Sequence, residues 1–321
     1  MHPNWKPPYL LTHGSSLSNA PLFVAEGMGL LTDAGIDVKI PTIEDFYKPA
    51  SLLHDQLSGI GSIGYAQPLI DAWLEDPLVV VAGSGARGVS LVAQSNFAHP
   101  SELSRQRIGT FRGDPLEVLL YDILSLYKVV DAQVVYFDSL PEGINAFNSK
   151  EIGALTIVEP HSTRLREHGA IQLSDGTDVW GDDFPDTVLV ASRSFLHSKP
   201  EVVKSVIRAM LRAESLLLMG SEMAFDTLLP HFPGFSRDEL AEAIIRQPPR
   251  LDLRDLESFF PSRWPTLSAL GLVSGESPGE PITSWTLFEQ VLAEEVDAFV
   301  TVGVSQPVEG ADNNEDSNEA T

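Results

Sequence analysis

The sequence contains no cysteine. Disulfides, thiolate nucleophiles and sulfur-ligated zinc are therefore excluded. Bases are scarce, with 21 Lys and Arg against 45 Asp and Glu, a formal charge of −24 over 321 residues. Such a surface repels phosphate backbones and argues against nucleic acid as a partner. No run approaches the roughly 18 to 20 apolar residues that span a bilayer. The opening "MHPNWKPPYLLTHG" has one lysine and only a brief apolar run, unlike a secretory leader. The expectation is either a cytoplasmic chain or one whose export signal has been removed. The eight histidines show no H-E-x-x-H and no His–carboxylate cluster, and G-x-S-x-G is absent. Neither a metal centre, a serine hydrolase nor a bound cofactor is expected.

What is present is a chain with 43% apolar residues, enough for a packed body. The final "VEGADNNEDSNEAT" carries five acids and no base, and reads as a disordered tail over 301–321. Upstream, strands alternate with helices. Tyr9–Thr12 reads as a strand, followed by the loop "HGSSLSN", in which Ser18 or Asn19 can cap a helix with Pro21 just inside it. "IDVKI" reads as a strand, Lys48–Ser58 as a helix, "GIGSI" as a buried strand and Tyr65–Leu74 as a helix. "PLVVVAG" and "VSLVAQ" are strands joined by a glycine turn. "RIGT", "AQVVYF" and "IGALTI" each lead into a helix, and the one opening at Pro115 carries an apolar stripe from Leu116 to Tyr127. "DGTDVWGDDFPD" reads as a loop and "TVLVAS" as a strand, after which the chain turns helical from Glu201 onward. This alternation predicts an α/β fold with mostly parallel sheet.

Two stretches, "GIGSIG" and "GSGARG", match G-x-G-x-x-G. The fingerprint needs a strand before it and a helix N-terminus after it. The first follows a helix with little strand between, and the second runs into another strand, so both read as tight turns. His161 and His168 read as solvated residues of one exposed helix, and Glu294, Glu295 and Asp297 as a solvated helix face.

Four segments in order carry a resemblance. "SNAPLFVAEGMGLLTDAGIDVKI", "LHDQLSGIGSIGYAQPLIDA", "INAFNSKEIGALTIVEPHSTRLREHGAIQL" and "FLHSKPEVVKSVIRAMLRAESLL" resemble the nitrate, sulfonate, taurine and thiamine-pyrimidine group of solute-binding proteins. An acid usual after Gly59 in that group is missing. The resemblance runs from Tyr9 to about Val296 and implies a periplasmic-binding-protein-like fold of type II: two αβα lobes joined by two crossover segments. Lobe 1 would comprise 8–97 plus 188–300 and lobe 2 would comprise 98–187, with crossings at "QSNFAHPSELS" and "DDFPDT". Such a protein clamps a small organic ligand, anionic or heteroaromatic, between its lobes and passes it to an ABC-type permease. The ligand classes implied are sulfonate, carboxylate and pyrimidine.

Cleft loops would then supply His13, Ser15, Ser16, Asn19, Ser62, Gly64 and Tyr65 from lobe 1, and Thr110, Phe111 and Arg112 from lobe 2. Asp114, Pro115 and Glu117 can form an acidic capping box that needs no guest. If Asp114 caps, a carboxylate or sulfonate paired to Arg112 is the anion that fits. Arg87 is a second cation or a solvated turn residue. Glu159 is a site residue or a helix cap, and Trp180 a ring surface. Enzymes share this fold. Aromatic desulfinases need a cysteine near Ser16–Ser18, and thiamine-pyrimidine synthases a lysine and a histidine that would fall near Gly64 and Pro68. Neither catalytic set is present, so binding without turnover is expected. A LysR-like sensing domain is disfavoured by the charge.

Overall fold

A computed structural model of the chain describes residues 10–14, 16–36, 40, 42–43, 53 and 59–304, with side chains to residue 295. Among the described residues there are ten strands: β1 Thr12–His13, β2 Thr42–Ile43, β3 Ile60–Gly64, β4 Leu78–Ala86, β5 Val89–Ala93, β6 Arg107–Thr110, β7 Gln133–Tyr136, β8 Ala154–Val158, β9 Ile171–Ser174 and β10 Pro185–Ser192. They form a two-stranded parallel pair β1-β2, a three-stranded sheet β3-β10-β4, and a five-stranded sheet β7-β6-β8-β5-β9. Residues 37–39 of the strand expected at "IDVKI", all of the helix expected over 48–58 except Leu53, and the tail from 305 lie outside the described residues, and the last described helix, Thr286–Val304, reaches into the segment expected to be disordered.

The sheets are less parallel than expected. β10 runs antiparallel to both β3 and β4, and β5 antiparallel to both β8 and β9, leaving only β7-β6-β8 and β1-β2 parallel. The reason is that the chain changes sheet. It leaves β4 for β5 through Arg87 and Gly88, both at positive φ (58° and 75°), and returns after β9 into β10. The left-handed pair turns the chain sharply, a conformation that costs a non-glycine residue about 1 kcal/mol. "QSNFAHPSELS" comes after β5 and so belongs to the five-stranded half, not to the passage between sheets. β10 begins at Pro185, two residues before "TVLVAS", and a short helix, Thr177–Trp180, occupies part of the expected loop.

Two apolar cores result. One holds Leu22, Phe23, Val81, Leu189, Val206 and Ile207, where helices Ala20–Gly27 and Pro200–Leu218 cover the three-stranded sheet. The other fills the five-stranded half and extends across to Ile63, Tyr65 and Val188 of the first. Phe259, Phe260, Trp264 and Leu267 join this second core. On the same segment Arg263 Nη1 and Thr266 Oγ1 donate to Asp122 of helix Pro115–Leu126, at 2.7 and 2.6 Å. The C-terminal helices thus grip the second half directly. Glu294 and Glu295 are not a bare solvated face, because they pair with Lys204 and Arg208 of helix Pro200–Leu218. His161 is half-buried with its ring edge-on to Phe235 at 5.3 Å, whereas His168 is exposed. A histidine beginning a helix can turn its ring inward, which composition alone does not reveal.

Candidate functional site

The ends of β1, β3, β6 and β10 converge where the halves meet. His13, Ile63, Gly64 and Gln67 from the first half face Gly113, Asp114 and Pro115 from the second across a cavity of only about 10 Å³. That is room for roughly one water. Gly64 makes the approach possible: a Cβ there would stand 2.7 Å from Pro115 Cδ. The glycine of "GIGSIG" therefore serves close packing between halves. In "GSGARG" the close approach is within the first half, since a Cβ on Gly85 would stand 2.6 Å from Ser18 Cα.

Behind this cavity lies a buried polar network. Ser16 Oγ contacts Ser18 Oγ at 2.6 Å, and Ser18 Oγ contacts Thr187 Oγ1 at 2.6 Å. Thr187 Oγ1 also lies 3.3 Å from Asp186 Oδ2, to which it donates, and 3.1 Å from His13 Nε2. Gln247 Nε2 also donates to Asp186, at 3.0 Å. Ser62 Oγ donates to Asn19 Oδ1 at 2.8 Å. All of these side chains are buried. Asn19 occupies the N-cap position of helix Ala20–Gly27, but its side chain makes no capping bond, being committed to Ser62 instead. The Nδ2 of Asn19 and the hydroxyls of Thr12 and Tyr65 have no partner among the described residues.

Two buried groups here titrate abnormally, with opposite signs. Burial pushes Asp186 up to about 6 against the donations of Ser18, Thr187 and Gln247. Burial lowers His13 to about 4, keeping it neutral. Asp186 therefore holds its proton more tightly when folded, so its contribution to stability falls as pH rises from about 4 to about 6. His13 binds its proton more weakly when folded, so its contribution rises between about 4 and 6.5. The two largely offset. In Asp186→Asn, stability from denaturant titrations should rise more steeply with pH over 4 to 6 than in the parent protein; an unchanged slope would mean that Asp186 titrates normally.

The loop Thr110–Asp114 is placed differently from the sequence expectation in one respect. Asp114 caps its helix, Oδ1 accepting from Leu116 N at 2.9 Å. Glu117 reaches back to accept from Gly113 N at 2.6 Å, one residue beyond the N-cap amide that a standard capping box uses. Arg112, however, is not directed at a guest: it donates to Glu117 Oε1 at 2.9 Å, to Tyr136 Oη at 3.1 Å and to the Leu270 carbonyl at 3.1 Å. Thr110 is buried and accepts from Thr156 Oγ1 at 2.8 Å, and Phe111 lies in the core. Glu159 caps its own helix through Thr163 N at 3.1 Å, stands 3.6 Å from Arg166, and accepts from Leu17 N across the halves through its carbonyl. Arg87 lies 4.0 Å from Asp183 at the passage between sheets. Trp180 and Tyr65 are buried edge-on to one another at 5.8 Å, beside Phe259. Ser15 lies outside the described residues.

The structure thus brings His13, Ser16, Asn19, Ser62 and Gly64 together, and adds Ser18, Asp186, Thr187 and Gln247. An aspartate heading an apolar strand in "FPDTVLVAS" was a readable signal for Asp186; nothing in the sequence marked Gln247. Among the described residues no group of three or more His, Asp or Glu is arranged to hold a metal, and no helix is long and apolar enough to cross a membrane.

Comparison with known proteins bears on this arrangement. Residues 114–226, which include the loop at Asp114 and β10, match the NMT1-like family. The chain carries an NMT1-like segment. A protein of Brucella abortus (strain 2308) named a putative binding protein is 28% identical over 180 residues, 53% of this chain and 56% of the relative. The chain therefore matches little more than half the length of that curated relative. The NMT1-like segment sits inside a fold shared with solved proteins over nearly the whole chain. The periplasmic aliphatic sulphonate binding protein SsuA from Escherichia coli has a TM-score of 0.70 and 16% identity, covering 85% of this chain and 96% of its own. The periplasmic nitrate-binding protein NrtA from Synechocystis PCC 6803 has a TM-score of 0.74 and 12% identity, covering 92% and 91%. The fold is that of the periplasmic binding proteins.

Proposed function

We propose that this chain is a solute-binding protein that closes two lobes on a small organic molecule without transforming it, and that it serves an ABC-type uptake system. The observation that carries the reading is the cavity walled by His13 and Gly64 on one side and by Gly113, Asp114 and Pro115 on the other. A cleft built from both halves at strand ends and helix starts is the arrangement in which such proteins hold ligands. The lobes of this reading are the half built on the three-stranded sheet, with the C-terminal helices, and the half built on the five-stranded sheet. At about 10 Å³ the cavity admits no organic molecule as it stands, so the halves must part for entry. The relatives named as binding proteins, including those for sulphonate and nitrate, support the same reading.

A thermal-shift screen over sulfonates, aromatic carboxylates, pyrimidines and nitrate tests it. At about 100 times its dissociation constant a ligand adds roughly 2.7 kcal/mol, raising Tm by several degrees. Recovery of the hit unchanged by mass spectrometry is expected; a product would make the protein an enzyme.

A further inference from the structure

Beyond the cavity, the two halves meet at two contacts of opposite character. Helix His161–Glu167 of the second half carries Arg164, whose Nη2 donates to the Gly234 carbonyl at 2.8 Å and to Glu239 Oε1 at 2.9 Å, both in the first half. Its guanidinium lies over the Phe235 ring, 3.3 Å from the centroid, and the His161 ring meets the same ring edge-on at 5.3 Å. Phe235 belongs to the first core, and Leu165, next to Arg164, to the second. The contact therefore joins two separately packed bodies.

The receiving side is fixed in advance. Glu239 Oε2 accepts from Ser236 N at 2.7 Å and from Ser236 Oγ at 2.8 Å, the capping box of helix Arg237–Arg246, which leaves Oε1 to Arg164. The helix bearing Arg164 also begins at the cleft. The Glu159 carbonyl just before it accepts at 3.3 Å from the amide of Leu17, which lies between Ser16 and Ser18 of the buried network.

Arg164 and Glu239 are 30% and 33% exposed, so separating them returns both charges to water at little cost. The contact at Asp122 is built the other way. Arg263 and Asp122 are 16% and 14% exposed, and Phe259, Trp264 and Leu267 of the same segment are buried in the second core. Parting there would strand a charge and bare three large apolar side chains.

Granted the solute-binding reading, in which the halves part and close, we infer that Arg164 is a positioning residue: its contact with Gly234, Phe235 and Glu239 is the clasp that opens, while the Asp122–Arg263 contact stays made as the pivot. The clasp acts through closure, setting the fraction of closed molecules and hence the apparent affinity for any ligand. Arginine suits the task because one planar group bonds a carbonyl and a carboxylate while its face covers an aromatic ring.

Spin labels on the full chain test this without any ligand, since the sequence has no cysteine of its own. One pair, Glu167→Cys with Ile245→Cys, uses exposed positions on the two helices that the clasp bridges. The other, Leu126→Cys with Ser268→Cys, uses exposed positions on the two helices joined at the pivot. Arg164→Ala should raise the ratio of long to short distances across the clasp by at least about tenfold and leave the pivot distance unchanged. Glu239→Gln, which keeps the capping box, should raise the same ratio by a smaller factor. Clasp distances unmoved in both variants, or pivot distances that lengthen along with them, would overturn the inference. Because the distances need no ligand, a clasp that fails leaves the solute-binding reading to the thermal-shift screen, and a screen without a hit fails that reading alone.

Discussion

Gly64→Val should weaken ligand binding by about 100-fold while leaving the fold of each half intact. The Cβ would meet Pro115 Cδ at 2.7 Å and Cγ at 3.1 Å. Neither neighbour can step aside, because the proline ring is fixed at the start of helix Pro115–Leu126 behind the Asp114 cap. The added methyls would push the halves apart at the point where they close. Overpacking of this kind costs roughly 1–3 kcal/mol. If that cost falls on the closed state, about 3 kcal/mol reduces its population, and hence the apparent affinity, by about two orders of magnitude. Calorimetry with whichever ligand the screen finds would check this. Parent-like affinity in Gly64→Val would mean that closure does not bring Gly64 onto Pro115.

Arg112→Ala separates two accounts of one residue. Glu117 is 2% exposed and accepts from Arg112, from Tyr136 Oη at 2.7 Å and from Gly113 N. Removing the guanidinium leaves a buried carboxylate with two donors and no opposing charge. Breaking such a pair costs about 3–5 kcal/mol when both partners are buried. Because Arg112 is itself about a third exposed, the lower end is expected, about 2–3 kcal/mol after screening. In a chain of this size that lowers Tm by roughly 3–5 °C. Arg112→Lys should recover only part, since one ammonium cannot reproduce the fork that bonds Glu117, Tyr136 and the Leu270 carbonyl together. Were Arg112 instead an anion seat, Arg112→Ala would abolish binding with little change in Tm.

This contrast shows where sequence reading succeeds and where it stops. The helix at Pro115 was legible because its signals are local: a capping aspartate, a proline in the first turn and a stripe at helical spacing. The cleft loops were legible as loops, and His13, Ser16, Asn19, Ser62 and Gly64 do converge. The direction of Arg112 was not, because it depends on Glu117, on Tyr136 and on a carbonyl 158 residues away. Asp186 and Gln247 enter through a strand and a helix end that pairing in three dimensions brings together. The antiparallel course of β10 was also hidden, since an apolar strand buried on both faces reads alike in either direction.

The absence of cysteine makes the central claim directly measurable. Met219→Cys on the first half and Val130→Cys on the second, at positions 73% and 94% exposed, provide the only two thiols in the chain for a fluorescent donor and acceptor. Two lobes that part to admit a solute and shut on it predict a distribution of transfer efficiencies that sharpens and changes its mean when the stabilising ligand is added. One fixed efficiency, the same with and without that ligand, would contradict the account.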